Sequence, residues 1–251
     1  MTEIYVNDSL KIFQDKNDKK MYKIELDYIN PSLLRSLVKT RLIQGGTITD
    51  DYKSLRFKAL SVKCFAKYKE DHNVERGSSK LSINVVSQML ETLATQLKYL
   101  ITTEHKTIIG YIPSNIIVIN DTNFAYLGSD LIADINPKDN LAIISCPFNV
   151  KDFYISPEML RIKVLPSYIH YKTSYFSLGF LILNALISED NFYVEYLKEY
   201  LKYDLKEKNE DVINDKIKEY LNQLHFKDTK LYWLLSRCLV EDPEKRSIQL
   251  I

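Results

Sequence analysis

The side chains best equipped for metal ligation or nucleophilic attack are few and dispersed. Cys64, Cys146 and Cys238 are odd in number, far apart and lack a Cys-x-x-Cys pair. Their spacing supports neither a disulfide framework nor a zinc site, and they read as buried thiols. His72, His105, His170 and His225 lack ligand spacing and read as surface or capped histidines. Asn7-Asp8-Ser9 and Asn120-Asp121-Thr122 match the glycosylation sequon, which matters only on a secretory route and reads as chance. The densest run of charge, Lys198 to Glu219, mixes both signs and reads as a solvated face. Any chemistry therefore rests on isolated residues that the fold must bring together.

The elements available to do so belong to a globular chain. Its 251 residues carry 34 Lys+Arg against 33 Asp+Glu and are 45% apolar, enough to bury about 70% of the unfolded surface. A net charge of +1 argues against a nucleic-acid protein held by phosphate contacts. Met1 to Phe13 carries Glu3, Asp8 and Lys11 and lacks the apolar core of a signal peptide. The longest apolar run, Tyr175 to Ile187, is shorter than the roughly 20 residues of a membrane span. The expectation is an intracellular, cytoplasmic protein with no membrane segment.

Ile4 to Ile29 reads as a hairpin around the polar turn Gln14 to Lys20. Asn30-Pro31-Ser32 opens a short helix, Leu33 to Leu42, that stops at Gly45-Gly46. Tyr52 to Tyr68 is strand-like, and Asp71 to Lys80 reads as a linker or the mouth of a helix. Leu81 to Thr103 carries the strongest helical stripe. Ile108 to Ile119 and Phe124 to Leu127 form a hairpin, and Gly128 to Tyr154 is a long irregular segment. Tyr175 to Ile187 is apolar all round, as in a central buried helix. Phe192 to Tyr203, Asn214 to Leu224 and Thr229 to Leu239 are amphipathic helices, the last capped by Asp228.

This order of parts resembles that of a protein kinase, and four motifs sharpen the resemblance. Pro113-Ser114-Asn115-Ile116-Ile117-Val118 is similar to the end of the kinase catalytic loop. Phe153-Tyr154-Ile155-Ser156-Pro157-Glu158-Met159 resembles the segment around the family's Ala-Pro-Glu motif. Tyr175-Phe176-Ser177-Leu178-Gly179 resembles the start of its central helix, and Cys238 to Arg246 resembles its late Asp-Pro-x-x-Arg segment. The likeness covers about Leu81 to Ile251. Before that it rests on element order alone, because no glycine precedes Gly45 and the glycine-rich loop is absent. It implies an α+β, two-lobed fold with a small β-rich lobe over residues 1–72 and a mainly helical lobe over 73–251.

The resemblance also implies which groups should do the chemistry, and there the residues depart from it. Counting back from Asn115, the catalytic Asp position falls on Gly110 and the phosphate-facing Lys position on Ile112. The metal-binding Asp position falls on Gly128, or on Asp130 if the hairpin is two residues longer. Inward alternation of Phe124 and Tyr126 favours Gly128, and Asp130 would then lie roughly 6 to 7 Å from the site. In this family the protein supplies a proton acceptor and the carboxylate and amide that hold magnesium; glycine supplies neither. Lys20 or Lys23 would stand for the ATP-binding lysine of the small lobe, with Lys23 assigned, but Leu33 to Leu42 offers no acidic partner. Asn115 reads as a brace for its own loop through nearby backbone, with Asn115 and Asp130 as the alternative metal ligands. Glu158 and Arg246 correspond to the family's buried ion pair.

The expectation is thus a pseudokinase without cofactor that binds a protein, such as an active kinase or a kinase substrate. The alternative is a divergent serine/threonine kinase using ATP and Mg, with Asp130 or Asp134 on the metal and Asp121 or Lys106 near the substrate. Eighteen tyrosines suit a protein interface. With abundant Lys, Asn and Ile, they also fit the coding bias of an AT-rich genome such as that of a large DNA virus or a protist.

Overall fold

Residue patterning near the N-terminus produces three strands where a single hairpin is expected: β1 (Thr2–Val6), β2 (Leu10–Gln14) and β3 (Met21–Leu26). The additional turn is made by Asn7, whose Oδ1 accepts from the backbone N–H groups of Ser9 and Leu10, each at 2.9 Å. This side-chain mimicry of a turn is a common asparagine device. The structure is a computed structural model that describes residues 1–76, 80–149, 153–187, 198, 217–218, 221–222 and 226–248. Helix α1 (Pro31–Lys39) follows β3, with Asn30 capping the Leu33 N–H at 3.0 Å and Pro31 in its first turn. Strands β4 (Thr47–Ile48) and β5 (Ser54–Lys58) complete an antiparallel sheet of order β1-β2-β3-β5-β4. Tyr22, Ile24 and Leu26 on β3 face a core shared with Leu33, Leu34 and Leu37 of α1.

Tyr52 to Tyr68 is not uniformly extended, and the polar residues 71–76 after it are helical, while 77–79 lie outside the described residues. Short β6 (Val62–Cys64) leads into α2 (Phe65–Arg76). Phe65 and Tyr68 anchor this helix edge-on to Phe124, while Lys67 pairs with Asp71 at 3.0 Å one turn on. Local ion pairs and two aromatic anchors give a helix with little amphipathic signal. The expected lobe boundary at residue 72 lies inside it. Helix α3 (Ile83–Glu104) is capped by Ser82 and ended by His105 in the left-handed conformation.

Strands β7 (Lys106–Ile108), β8 (Ile116–Ile119) and β9 (Asn123–Tyr126) follow, with β6, β8 and β9 in one sheet. Period-two alternation divides the β8–β9 hairpin between two cores. Ile116, Val118, Phe124 and Tyr126 join the α3 core; Ile117, Ile119, Ala125 and Leu127 join the core of the first sheet. All eight are essentially unexposed, so the hairpin joins the two halves rather than lining an open gap between them.

The segment 128–154 contains a hairpin, β10 (Ile132–Asn136) and β11 (Leu141–Ile144), where an irregular stretch is expected. Ala133, Ile135, Ala142 and Ile144 point inward, and β12 (Ser167–His170) extends the sheet to the order β12-β11-β10-β7. These strands escape a periodicity search because each is short and pairs with distant residues. Helix α4 (Pro157–Leu160) precedes β12, and α5 (Thr173–Ile187) is buried along nearly its whole circumference. Helix α6 (Lys230–Cys238) is capped by Thr229, whose Oγ1 accepts from the Tyr232 N–H at 3.2 Å, not by Asp228. Asp228 instead adopts a positive φ of 64°. The helices expected over 192–203 and 214–224, and the charged stretch 198–219, lie almost wholly outside the described residues, as does His225. Among the described residues no helix is long and apolar enough to cross a membrane.

Candidate functional site

Residues 109–115 connect β7 to β8 and carry the positions of interest. Their path is fixed from both sides. The Ile109 N–H donates to the Leu131 carbonyl at 2.9 Å, and the Tyr111 N–H donates to Ser177 Oγ of α5 at 2.9 Å. A 3-10 turn, Pro113–Asn115, then starts the hairpin. Ile112 is half-buried against the main core, and its carbonyl accepts from the Asn115 N–H at 3.0 Å.

Gly110 and Gly128 are places where no side chain fits. A Cβ on Gly110 would lie 1.9 Å from Cδ2 of Phe153, far inside the roughly 3.5–4.0 Å of a normal carbon contact. A Cβ on Gly128 would lie 2.3 Å from the Tyr126 hydroxyl and 2.7 Å from Nδ2 of Asn115. Neither glycine has a positive φ, so close approach is the reason for glycine at both. Two aromatic side chains occupy the volume into which side chains at 110 and 128 would project. Tyr126 packs edge-on against Tyr111 at 5.0 Å, and both rings are fully buried. Burial drives both phenols far above the ordinary tyrosine range, and the charge of Asp130 adds to the effect at Tyr126.

Asn115 is 2% exposed, and its side chain does not brace its own loop as expected. It reaches residues more than a hundred positions away in the β1–β2 turn. Asn7 Nδ2 donates to Asn115 Oδ1 at 2.8 Å and also contacts the Ser114 carbonyl at 2.9 Å. Asn115 Nδ2 donates to Ser9 Oγ at 3.2 Å. The Tyr5 hydroxyl donates to the Ser114 carbonyl at 2.8 Å. Tyr5, Asn7 and Ser9 thus clasp residues 114–115 directly. Their role has no counterpart in the sequence reading, where Asn7-Asp8-Ser9 stands only as a chance sequon.

Lys20, Lys23, Lys106, Asp121 and Asp134 are placed or paired away from this clasp. Lys23 lies on the outer face of β3, paired with Glu25 at 2.6 Å and 5.7 Å from the Phe13 ring centroid. Lys20 is exposed in the β2–β3 turn. Asp130 and Asp134 are exposed, and Asp134 pairs with Lys106 across β10 and β7. Asp121 sits at the β8–β9 turn and pairs with Lys63 at 3.0 Å. Among the described residues no group of three His, Cys, Asp or Glu side chains could hold a metal ion. The Asn115 amide bonds Asn7 and Ser9, and Gly128 offers no ligand; Asp130 is exposed, and its charge reaches the Tyr126 hydroxyl that lies beside Asn115. Of the thiols, only Cys238 is buried, and burial pushes it up to about 12; Cys64 is half-buried and Cys146 exposed, contrary to expectation.

Two charged contacts hold the scaffold. Arg246, wholly buried, meets Glu158 in a bidentate pair at 2.5 and 2.8 Å. Its remaining donors reach the Val240 and Glu241 carbonyls at 2.7 and 2.6 Å, and its guanidinium lies over Phe176. This pair joins α4, the C-terminal segment and α5. Arg35 of α1 likewise meets Glu104 at the end of α3 at 2.9 and 2.6 Å, with Ser32 and Tyr99 donating to the same carboxylate. Arg35 is the main reason the Glu104 carboxyl is lowered to about 2.

A scan against protein-family models gives no match for the chain, and neither does a search of curated proteins. The structure itself establishes a mixed α+β architecture of antiparallel sheets and helices.

Proposed function

We propose that the chain is a protein-kinase-like domain that does not transfer phosphate and acts as a protein-binding or regulatory module. The observation that carries this reading is the occupancy of two positions. Where the resemblance places the proton acceptor and the metal-holding carboxylate, Gly110 and Gly128 stand against the Phe153 ring and the Tyr126 hydroxyl. Loss of the general base alone costs about 10²- to 10⁴-fold in rate, and a filled pocket prevents a neighbouring carboxylate from substituting.

Three further features support the reading. A small sheet with one helix between its third and fourth strands precedes a helical half, as the family's order of parts requires. The Tyr175 helix is central and buried, and Glu158 stands beside Arg246. The Tyr5, Asn7 and Ser9 clasp closes the first turn of the sheet onto Asn115, where a nucleotide phosphate would need room. Scaffold residues are kept while catalytic ones are replaced, which is the pattern of a domain used for its surface, with an active kinase or its substrate as the natural partner. The test is transfer of labelled γ-phosphate from ATP with magnesium to a generic protein substrate. No transfer is expected; magnesium-dependent transfer that Asn115→Ala abolishes would overturn the proposal.

A further inference from the structure

We propose that the free edge of β12 is a docking strand for an extended acidic segment of a partner protein, which adds to the sheet as a fifth strand. This does not depend on the kinase reading. In the four-stranded order β12 is terminal: it pairs with β11 on one side and with no described strand on the other. A groove of about 550 Å³ is lined by Ser167, Tyr168, Ile169 and His170 together with Glu158 and residues 161–164. Successive residues of a strand point to opposite faces. A groove touched by all four therefore runs along the strand's edge, and the edge that β11 leaves open is the outer one. Unpaired backbone donors and acceptors on such an edge are a template for strand addition.

The rim specifies the occupant. Val164 is 73% exposed and Tyr168 60% exposed, and Ile143, opposite Tyr168 on β11, is also exposed. Val164 and Tyr168 would meet alternate apolar side chains of an added strand, while Ile143, one strand further in, extends the same apolar face. The unbalanced charge on the rim is positive. Glu158 is neutralised by Arg246, and Arg161 balances Glu241. Lys163 projects from the groove wall without an acidic neighbour among the described ion pairs and supplies the excess; Lys172, just past the end of β12, donates to the Glu244 carbonyl at 2.8 Å, and its charge is offset at His170 by that of Glu244. An extended segment alternating carboxylates with valine-like residues matches both features, and charge complementarity favours it over a basic one.

The experiment uses the full chain and a blocked, fluorescent hexapeptide of alternating glutamate and valine, read by anisotropy. Saturable binding is expected, weakened about tenfold or more by Lys163→Glu or Val164→Asp. Both positions are exposed, and circular dichroism verifies that the variants fold. Methylating the peptide nitrogens that face the strand should abolish binding, while methylating the alternate set should not, because only one set reaches the ladder. The proposal is overturned by any of three results: absence of saturable binding, equal binding of a lysine–valine peptide, or insensitivity to both substitutions. Concentration-dependent self-association that Val164→Asp abolishes would also overturn it, by assigning the edge to a second copy.

Discussion

Replacing Gly110 with alanine is the smallest perturbation that separates a filled position from one that merely lacks a side chain. The new methyl would stand 1.9 Å from Phe153 Cδ2, so the ring must retreat by about 2 Å to reach an ordinary contact. Phe153 is 4% exposed and packs edge-on against Phe148 at 5.9 Å, leaving little room for retreat. Overpacking of this kind costs about 1–3 kcal/mol, and expelling the ring would approach the roughly 3–5 kcal/mol of deleting a buried phenylalanine. We expect Gly110→Ala to destabilise by about 2–4 kcal/mol in urea unfolding followed by circular dichroism. Phe153→Ala should cost about 3–5 kcal/mol. In the double variant the new methyl occupies space the ring has vacated, so its cost should stay near that of Phe153→Ala alone. The two losses would then fall short of additivity by about 2–4 kcal/mol. A Gly110→Ala loss within about 0.5 kcal/mol of zero, or strict additivity, would refute the reasoning. By the same argument Gly110→Asp, which installs the carboxylate that the proposed kinase-like reading would place there, should unfold the chain rather than activate it.

Two further outcomes follow from buried polar groups. The Glu104 carboxyl lies at about 2 in the folded chain against an ordinary 4.5, chiefly through Arg35. Because the folded state binds this proton less tightly, the stabilisation is complete above about pH 4.5 and is lost as pH falls toward about 2. Urea midpoints should therefore drop more between about pH 6 and pH 3 in the parent than in Glu104→Gln, and equal drops would contradict the assignment. The Tyr111 hydroxyl is buried with no hydrogen-bond partner among the described residues. Tyr111→Phe should leave stability unchanged or raise it by up to about 1–3 kcal/mol, whereas a loss beyond about 0.5 kcal/mol would point to a bound water in that pocket.

What could be read from the sequence depended on the range of the forces involved. The α3 stripe and the all-round apolar α5 are local patterns long enough to stand out, and they lie within two residues of their expected limits. The turn of the β8–β9 hairpin was legible as well, but the strand expected over Ile108 to Ile119 is broken by residues 109–115, and placement between two cores was not legible, since Ala125 and Leu127 are as buried as Phe124 and Tyr126. Helix α2 was hidden because its stability comes from Phe65 and Tyr68 packing on Phe124, not from a periodic face. β10, β11 and β12 were hidden because they are four or five residues long and pair across the chain. At the site, the glycines themselves were visible. That Phe153 and Tyr126 fill the space beside them, and that Asn7 reaches Asn115, are long-range facts with no local signature.

The most direct measurement of the central claim is a calorimetric titration of the purified full chain with ATP, with and without magnesium, repeated on Asn115→Ala. With Phe153 and Tyr126 filling the space beside Gly110 and Gly128 and Asn115 bonded to Asn7 and Ser9, the proposed reading expects no saturable heat from either titration. Saturable, magnesium-dependent binding that Asn115→Ala removes would contradict the account.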